Sequence, residues 1–298
     1  MDSLDGVFDG QYSYSWAGEY TKIYILDTGI QAGHPEFTGR VLDGKSYVGG
    51  PSTVDNDSHG TFVASAAAGL HGGAAKSAAI ISVRIADRSD PSTSTLIDAI
   101  NWTTRDIRCA PPDRSSTGCI GNLGSYIPIV NISFLPSRNK MLESAVTGLI
   151  NAGATVFASA GNYGDNACAY ALANVPGVIV VGAVQRSGGG VALWPSSSSG
   201  GCVTLFAPGA AVGAAYPTSQ YNCNPGWSGT SLSSPVAAGV GAVFADIFGG
   251  DLKRHMLDYA RYGMIQGDLR GGPNVLLQQP PPTIGCYYID PQPPPADR

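Results

Sequence analysis

Five short apolar runs, rich in valine and isoleucine, constrain the fold of this chain more than any other feature. They are IYIL (23–26), AIISVRI (79–85), IPIVNISF (127–134), ATVFASA (154–160) and VIVVGAV (178–184). None alternates with polar residues, as a strand with one wet face would. Continuous apolar runs of this length fit strands covered on both faces, the pattern of a parallel sheet. Between them lie segments of helical character: HGTFVASAAAGL (59–70), STLIDAINWTTRDI (94–107) and KMLESAVTGLINAG (140–153). The last puts Leu142, Ala145, Val146, Leu149 and Ile150 on one face and stops at Gly153. Strands alternating with helices predict an α/β fold, a mostly parallel central sheet with helices on both faces. The composition does not change before about residue 277, so residues 1–277 read as one domain. Residues 278–298, QQPPPTIGCYYIDPQPPPADR, hold seven prolines and read as an extended tail.

Several function classes are disfavoured. The net charge is −5, and no basic run exceeds Lys253–Arg254, so a nucleic-acid partner is not expected. No run of consecutive apolar residues approaches the roughly 18 of a membrane span. The start MDSLDGVFDG has neither the basic region nor the apolar core of a signal peptide. Six cysteines (109, 119, 168, 202, 223, 286) allow up to three disulfides and an oxidising compartment, with free buried thiols as the alternative. None has the C-x-x-C spacing of a zinc or dithiol site. The string GRVLDGKS (39–46) matches a phosphate-binding loop letter for letter. That loop must follow a strand and open a helix. Here GHPEFT precedes and YVGGPST follows, so nucleotide binding is not expected.

The stretch GWSGTSLSSPVAAGVGAVF from Gly226 places Ser228, Thr230, Ser231, Ser233 and Ser234 ahead of small apolar residues. Pro235 suits the first turn of a helix, which would put Ser231 at an N-terminus that favours negative charge. A nucleophilic serine needs a base, and there are four histidines. His34 sits in a loop before Pro35, His71 lies in GLHGG, and His255 reads as a helix-face residue. His59, in DNDSHGTFVASAAAG, would begin a helix capped by Asp57 or Ser58. A helix N-terminus lowers an imidazole pKa, keeping it neutral and basic near pH 7. KIYILDTGI (22–30) is a strand ending in Asp27, at the edge where open α/β sheets place ligands.

The order Asp27, His59, Ser231 resembles the subtilisin superfamily of serine proteases, most closely its proteinase K-like branch. Four blocks carry the resemblance, over about residues 8–277: ILDTGI followed by HPEFTGR, SHGTFVAS, ASAGN (158–162) and SGTSLSSPVAAG. It implies a three-layer subtilisin-like fold and a serine endopeptidase acting through an acyl-enzyme. Ser231 would be the nucleophile, His59 the general base and then acid, and Asp27 its orienting carboxylate. Asn162 would donate its side-chain amide to the oxyanion. Ser133, Phe134 and Leu135, with Ser159, Ala160 and Gly161, would form the walls of a substrate pocket. Substrates would be peptides or proteins. The resemblance also implies an inhibitory prodomain that this chain does not show, secretion, a monomer and no catalytic cofactor. The alternative is a subtilisin-fold binding or self-cleaving module.

The chain departs from the family pattern at several points. Phe62 and Val236 replace histidines and Leu232 replaces methionine, which implies repacking rather than lost chemistry. At NISFLP (131–136), Leu135 and Pro136 stand where the family has glycines that let a bound peptide lie alongside as an added strand. Pro136 brings no N–H and Leu135 adds a side chain, so a narrower or redirected groove is expected. Structural calcium, held in the family near VPGV (175–178), would lose a carboxylate, because Thr204 occupies that place. Cys168 and Cys202 flank the same region and are expected to staple it instead.

Overall fold

The computed structural model describes residues 14–109, 126–215 and 223–280. All five apolar runs are strands. In chain order the main elements are β1 (Thr21–Asp27), β2 (Val41–Ser46), α1 (His59–Ala68), β3 (Ala79–Arg84), α2 (Thr93–Arg108), β4 (Ile127–Ile132) and α3 (Lys140–Asn151). There follow β5 (Thr155–Ser159), β6 (Ile179–Ser187), β7 (Gly190–Leu193), β8 (Leu205–Pro208), β9 (Val212–Ala215), β10 (Cys223–Trp227), α4 (Thr230–Phe248) and α5 (Leu252–Tyr259). The sheet runs β8-β6-β5-β4-β1-β3-β2, all parallel. β7 and β9–β10 pair antiparallel. Short strands at 261–262, 265–266 and 275–276 finish the edge beyond β8 and β7.

The two faces of the sheet bury different side chains. On one, Tyr24, Leu26, Val130 and Ile132 pack with Leu96, Ile100, Leu142 and Val146 of α2 and α3. On the other, Ile23, Ile25, Ile129 and Phe157 pack with Val63 and Ala67 of α1 and Ala238, Val240 and Phe244 of α4. Successive β1 residues thus serve opposite layers, which is why the strand shows no polar alternation. The result is the predicted three-layer α/β architecture. Small residues bring the layers close. A Cβ on Gly239 of α4 would stand 2.2 Å from the Ala67 carbonyl of α1, so only glycine permits that helix crossing.

Two segments add to the picture drawn by the five apolar runs. GRVLDGKS, left outside the strands in the sequence analysis, forms β2, an edge strand parallel to β3 with no helix directly after it. The helix α4 is long and apolar enough to cross a membrane, with 19 residues at a mean hydropathy of 1.4, although its serines, Thr230 and Asp246 keep it from being an unbroken apolar run. It is 72% buried inside the protein, packed against both α1 and the sheet, and serves as the core helix of its layer.

The chain order creates one special edge. After β1 the chain builds β2 and β3 on one side and then returns to place β4 on the other. Ligands in open α/β sheets bind outside the carboxyl ends of the strands at such a switch. Asp27 ends β1 there, and Ser133 follows directly after β4.

Candidate active site

Asp27 is fully buried. Its Oδ1 accepts the Thr28 N–H at 2.8 Å and lies 2.7 Å from His59 Nδ1. Asp27 Oδ2 has no hydrogen-bond partner among the described residues. His59 is the first residue of α1, but the expected caps do not hold that end. Ser58 adopts φ 92°, in the left-handed region, and its side chain makes no capping hydrogen bond. Among the described residues Asp57 accepts only the His59 N–H, at 3.3 Å. The main cap is Asp55. Its Oδ1 accepts the Asp57 and Ser58 N–H groups and the Thr28 hydroxyl, while Oδ2 accepts the N–H and hydroxyl of Thr61. Thr28 Oγ1 in turn accepts the Gly60 N–H. One buried carboxylate therefore locks the end of β1 to the start of α1, fixing Asp27 against His59.

The electrostatics run opposite to the sequence expectation for His59. Burial disfavours the imidazolium, but the Asp27 charge, its hydrogen bond and the carboxylates of Asp57 and Asp55 outweigh it. The pKa rises from 6.5 to about 9. The imidazolium is the favoured form at neutral pH, and the neutral base appears only as the medium turns alkaline. The other histidines serve elsewhere. His34 is buried beside Phe37, His71 pairs with Glu36, and His255 stacks on Phe248.

Ser231 is the second residue of α4, so its N–H has no acceptor within the helix. Pro235 lies in the second turn rather than the first. Lacking an N–H, it leaves the Ser231 carbonyl without its i+4 donor. The Ser133 hydroxyl donates to that carbonyl at 3.2 Å and accepts from Asn131 Nδ2 at 2.9 Å. The serine turn is thereby tied to the end of β4. On the other side, Asn162 follows β5. Its Oδ1 accepts both the N–H and the hydroxyl of Thr230, at 2.8 and 2.9 Å, and Thr230 Oγ1 accepts the Gly161 N–H at 3.0 Å. With its oxygen held this way, the Asn162 amide is left to donate. A Cβ on Gly229 would stand 2.9 Å from Ser231 Oγ and 3.4 Å from Asn162 Nδ2, so both atoms border one small space. Neither the bracing role of Thr230 nor that of Asp55 was anticipated from the sequence. Their positions inside the serine block and four residues before His59 were the available signals.

The six expected wall residues lie on the strand extensions. Ser133 and Phe134 follow β4, and the Phe134 ring centroid is 6.1 Å from that of His59. Ser159 ends β5, with Ala160 and Gly161 buried beyond it. Leu135 turns toward Gly161 across the gap between the two extensions. The substituted positions repack as expected: Phe62 is buried, stacks on Trp227 at 4.3 Å, and clusters with Leu232 and Val236.

The region where the family holds calcium has Thr204 in place of a carboxylate. A hollow there is lined by Val175, Pro176, Cys202, Thr204 and Lys253. Thr204 Oγ1 already accepts the Val180 N–H, and the lysine brings a cation of its own. No cluster of three metal-ligating side chains occurs among the described residues. The expected staple is present, a Cys168–Cys202 disulfide with Cα atoms 5.4 Å apart.

Residues 18–261 match the family model described as Subtilase family. The extracellular serine proteinase of Thermus sp. (strain Rt41A) is 32% identical over 280 residues, covering 91% of this chain and 63% of that protein. Alkaline protease 1 of Aspergillus flavus is 31% identical over 280 residues, covering 93% and 64%. Subtilisin-like protease 3 of Pseudogymnoascus destructans is 33% identical over 236 residues, covering 78% and 54%. The chain thus spans between about half and two thirds of the length of these curated relatives. Among solved structures, a cold adapted subtilisin-like serine proteinase superposes with a TM-score of 0.79 at 28% identity, covering 94% of this chain and 96% of that one.

Proposed function

Since the chain belongs to the subtilase family, we propose that it is a serine endopeptidase whose acyl-enzyme forms on Ser231. His59 takes the Ser231 proton as the hydroxyl attacks the scissile carbonyl, and returns it to the leaving amine. Asp27 holds the imidazole in the tautomer with its proton on Nδ1 and stabilises the imidazolium. Asn162 Nδ2 and the Ser231 N–H hold the developing oxyanion. The observation that carries this reading is that two preorganised halves meet the same stretch after β4, where Phe134 lies 6.1 Å from the His59 ring and Ser133 bonds the Ser231 carbonyl. The Asp27–His59 contact of 2.7 Å lies at the end of β1. The Ser231–Asn162 space lies at the start of α4, where Thr230 fixes the amide. Incubation with a mixed peptide library is expected to release internal-cleavage products, and pretreatment with a serine-reactive fluorophosphonate to stop their release. Cleavage that persists after complete modification contradicts the assignment.

Asn162→Ala is expected to lower kcat by about 10²- to 10³-fold, roughly 3–4 kcal/mol, with KM nearly unchanged. An amide that acts only on the oxyanion contributes nothing to ground-state binding, so steady-state kinetics with one peptide separates the two parameters. Thr230 would lose its acceptor at the same time, and a thermal scan measures that part.

The extracellular proteinase among the relatives and the Cys168–Cys202 disulfide support secretion of this chain. No metal is required for the proposed chemistry. Calcium in millimolar excess is expected to leave the thermal midpoint of the native protein unchanged. Thr204→Asp combined with Lys253→Ser should make that midpoint rise with calcium, because a ligand that binds only the folded state stabilises it. A calcium-dependent midpoint in the native chain, abolished by blocking this hollow, contradicts the reading of Lys253.

A further inference from the structure

A side chain of the chain itself reaches across the crevice beside Ser231. β4 and β5 pair up to Ile132 and Ala158, and beyond that point their extensions separate. One wall is tied to the nucleophile's helix through Ser133 Oγ and the Ser231 carbonyl. The other is tied to it through the Gly161 N–H and Thr230 Oγ1. An acyl carbon on Ser231 Oγ, with its oxygen directed at Asn162 Nδ2, therefore presents its substituent to the gap between these walls. Leu135 spans that gap. Its Cδ2 lies 2.8 Å from the point where a Cβ on Gly161 would stand, and Ser198 Oγ lies 2.7 Å from the same point. Leu135 thus rests directly on the backbone of Gly161, whose φ of +116° keeps a side chain off that position. The loop behind it is anchored. The Pro136 carbonyl accepts the Ala171 N–H at 3.1 Å, and Ser137 forms an antiparallel bridge with Tyr170. These ties oppose a swing of the segment out of the crevice.

We propose that Leu135 is a specificity-determining residue that occupies this crevice and restricts the residue on the acyl side of the cut to small side chains: glycine, alanine or serine. The inference rests on the protease reading above. A large apolar side chain has nowhere to go unless Leu135 is displaced, and overfilling a packed site is unfavourable even when the incoming group is apolar. A single methylene in an apolar pocket is worth about 10- to 200-fold in discrimination, so filling by a whole isobutyl group should dominate the profile.

The test compares kcat/KM for peptides that differ only at the residue before the cut, using the native chain, Leu135→Ala and Leu135→Gly. The native chain is expected to favour alanine or serine over phenylalanine by at least about tenfold. The variants should raise the phenylalanine peptide relative to the alanine peptide by at least about tenfold. Labelling rates of Ser231 with peptidyl phosphonates bearing alanine or phenylalanine side chains should move in parallel, without any need for turnover. The native profile alone already tests the proposal if a variant fails to fold. A native preference for phenylalanine, or a ratio unmoved in folded variants, overturns the role of Leu135 and leaves the protease reading standing. Absence of any labelling at Ser231 by an unspecific fluorophosphonate overturns both.

Discussion

Ser231→Ala is expected to lower kcat by about a millionfold, the size of this effect in subtilisin, a member of the same family. KM should change little. Folding should be almost unaffected, because the contacts that hold this turn use the Ser231 carbonyl and the side chain of Thr230 rather than the Ser231 hydroxyl. The rate of the variant should still exceed that of uncatalysed hydrolysis, because Asn162 and the binding surface survive the change. Progress curves at high enzyme concentration, alongside thermal unfolding of the same preparations, measure both quantities. A folded variant that keeps a tenth of the native kcat would remove Ser231 from the chemistry.

Asp27→Asn is expected to lower kcat by about 10⁴-fold and to move the pH profile as well. Native activity should rise with pH as His59 loses its proton, through a midpoint near the raised value of about 9. Burial works against the imidazolium and Asp27 works for it, so removing the Asp27 charge leaves burial less opposed. The residual activity of the variant should then switch on at lower pH. Stability follows the same linkage. Because the folded-state pKa of His59 lies above its ordinary 6.5, the charged pair stabilises the fold fully below about pH 6.5, and that contribution disappears as pH rises through about 9. The variant should therefore lose more stability at pH 6 than at pH 10. An unchanged rate midpoint in Asp27→Asn would mean that another group titrates in the native profile.

The layered architecture was legible because strands buried on both faces leave no polar alternation, and because helices such as α3 carry an apolar stripe ending in glycine. β2 escaped notice for the complementary reason. It is an edge strand with no fully buried residue, interrupted by Gly44 and charged at Asp43 and Lys45. The candidates Asp27, His59, Ser231 and Asn162 came from four short blocks, each of which places one polar residue at or near an element end. The second layer of contacts could not. Asp55 caps α1 through Thr28 and Thr61, which come from different elements. Ser133 reaches Ser231 across 98 residues only because Pro235 vacates a carbonyl. The direction of the His59 shift also depended on tertiary placement. A helix N-terminus alone argued for a lowered value, and three carboxylates brought near the ring reversed it. Leu135 was visible as an intrusion into a glycine position, but its resting place on Gly161 depended on how β4 and β5 diverge.

The most direct measurement is mass-spectrometric mapping of the residue modified when the folded native chain, and a folded His59→Ala variant, are treated with a fluorophosphonate. One adduct on the hydroxyl of Ser231, formed rapidly in the native chain and faster as pH rises toward 9, with little or none in the variant, is the predicted result. Modification at another serine, or equal reaction at Ser231 with and without the imidazole, would contradict the account at its root.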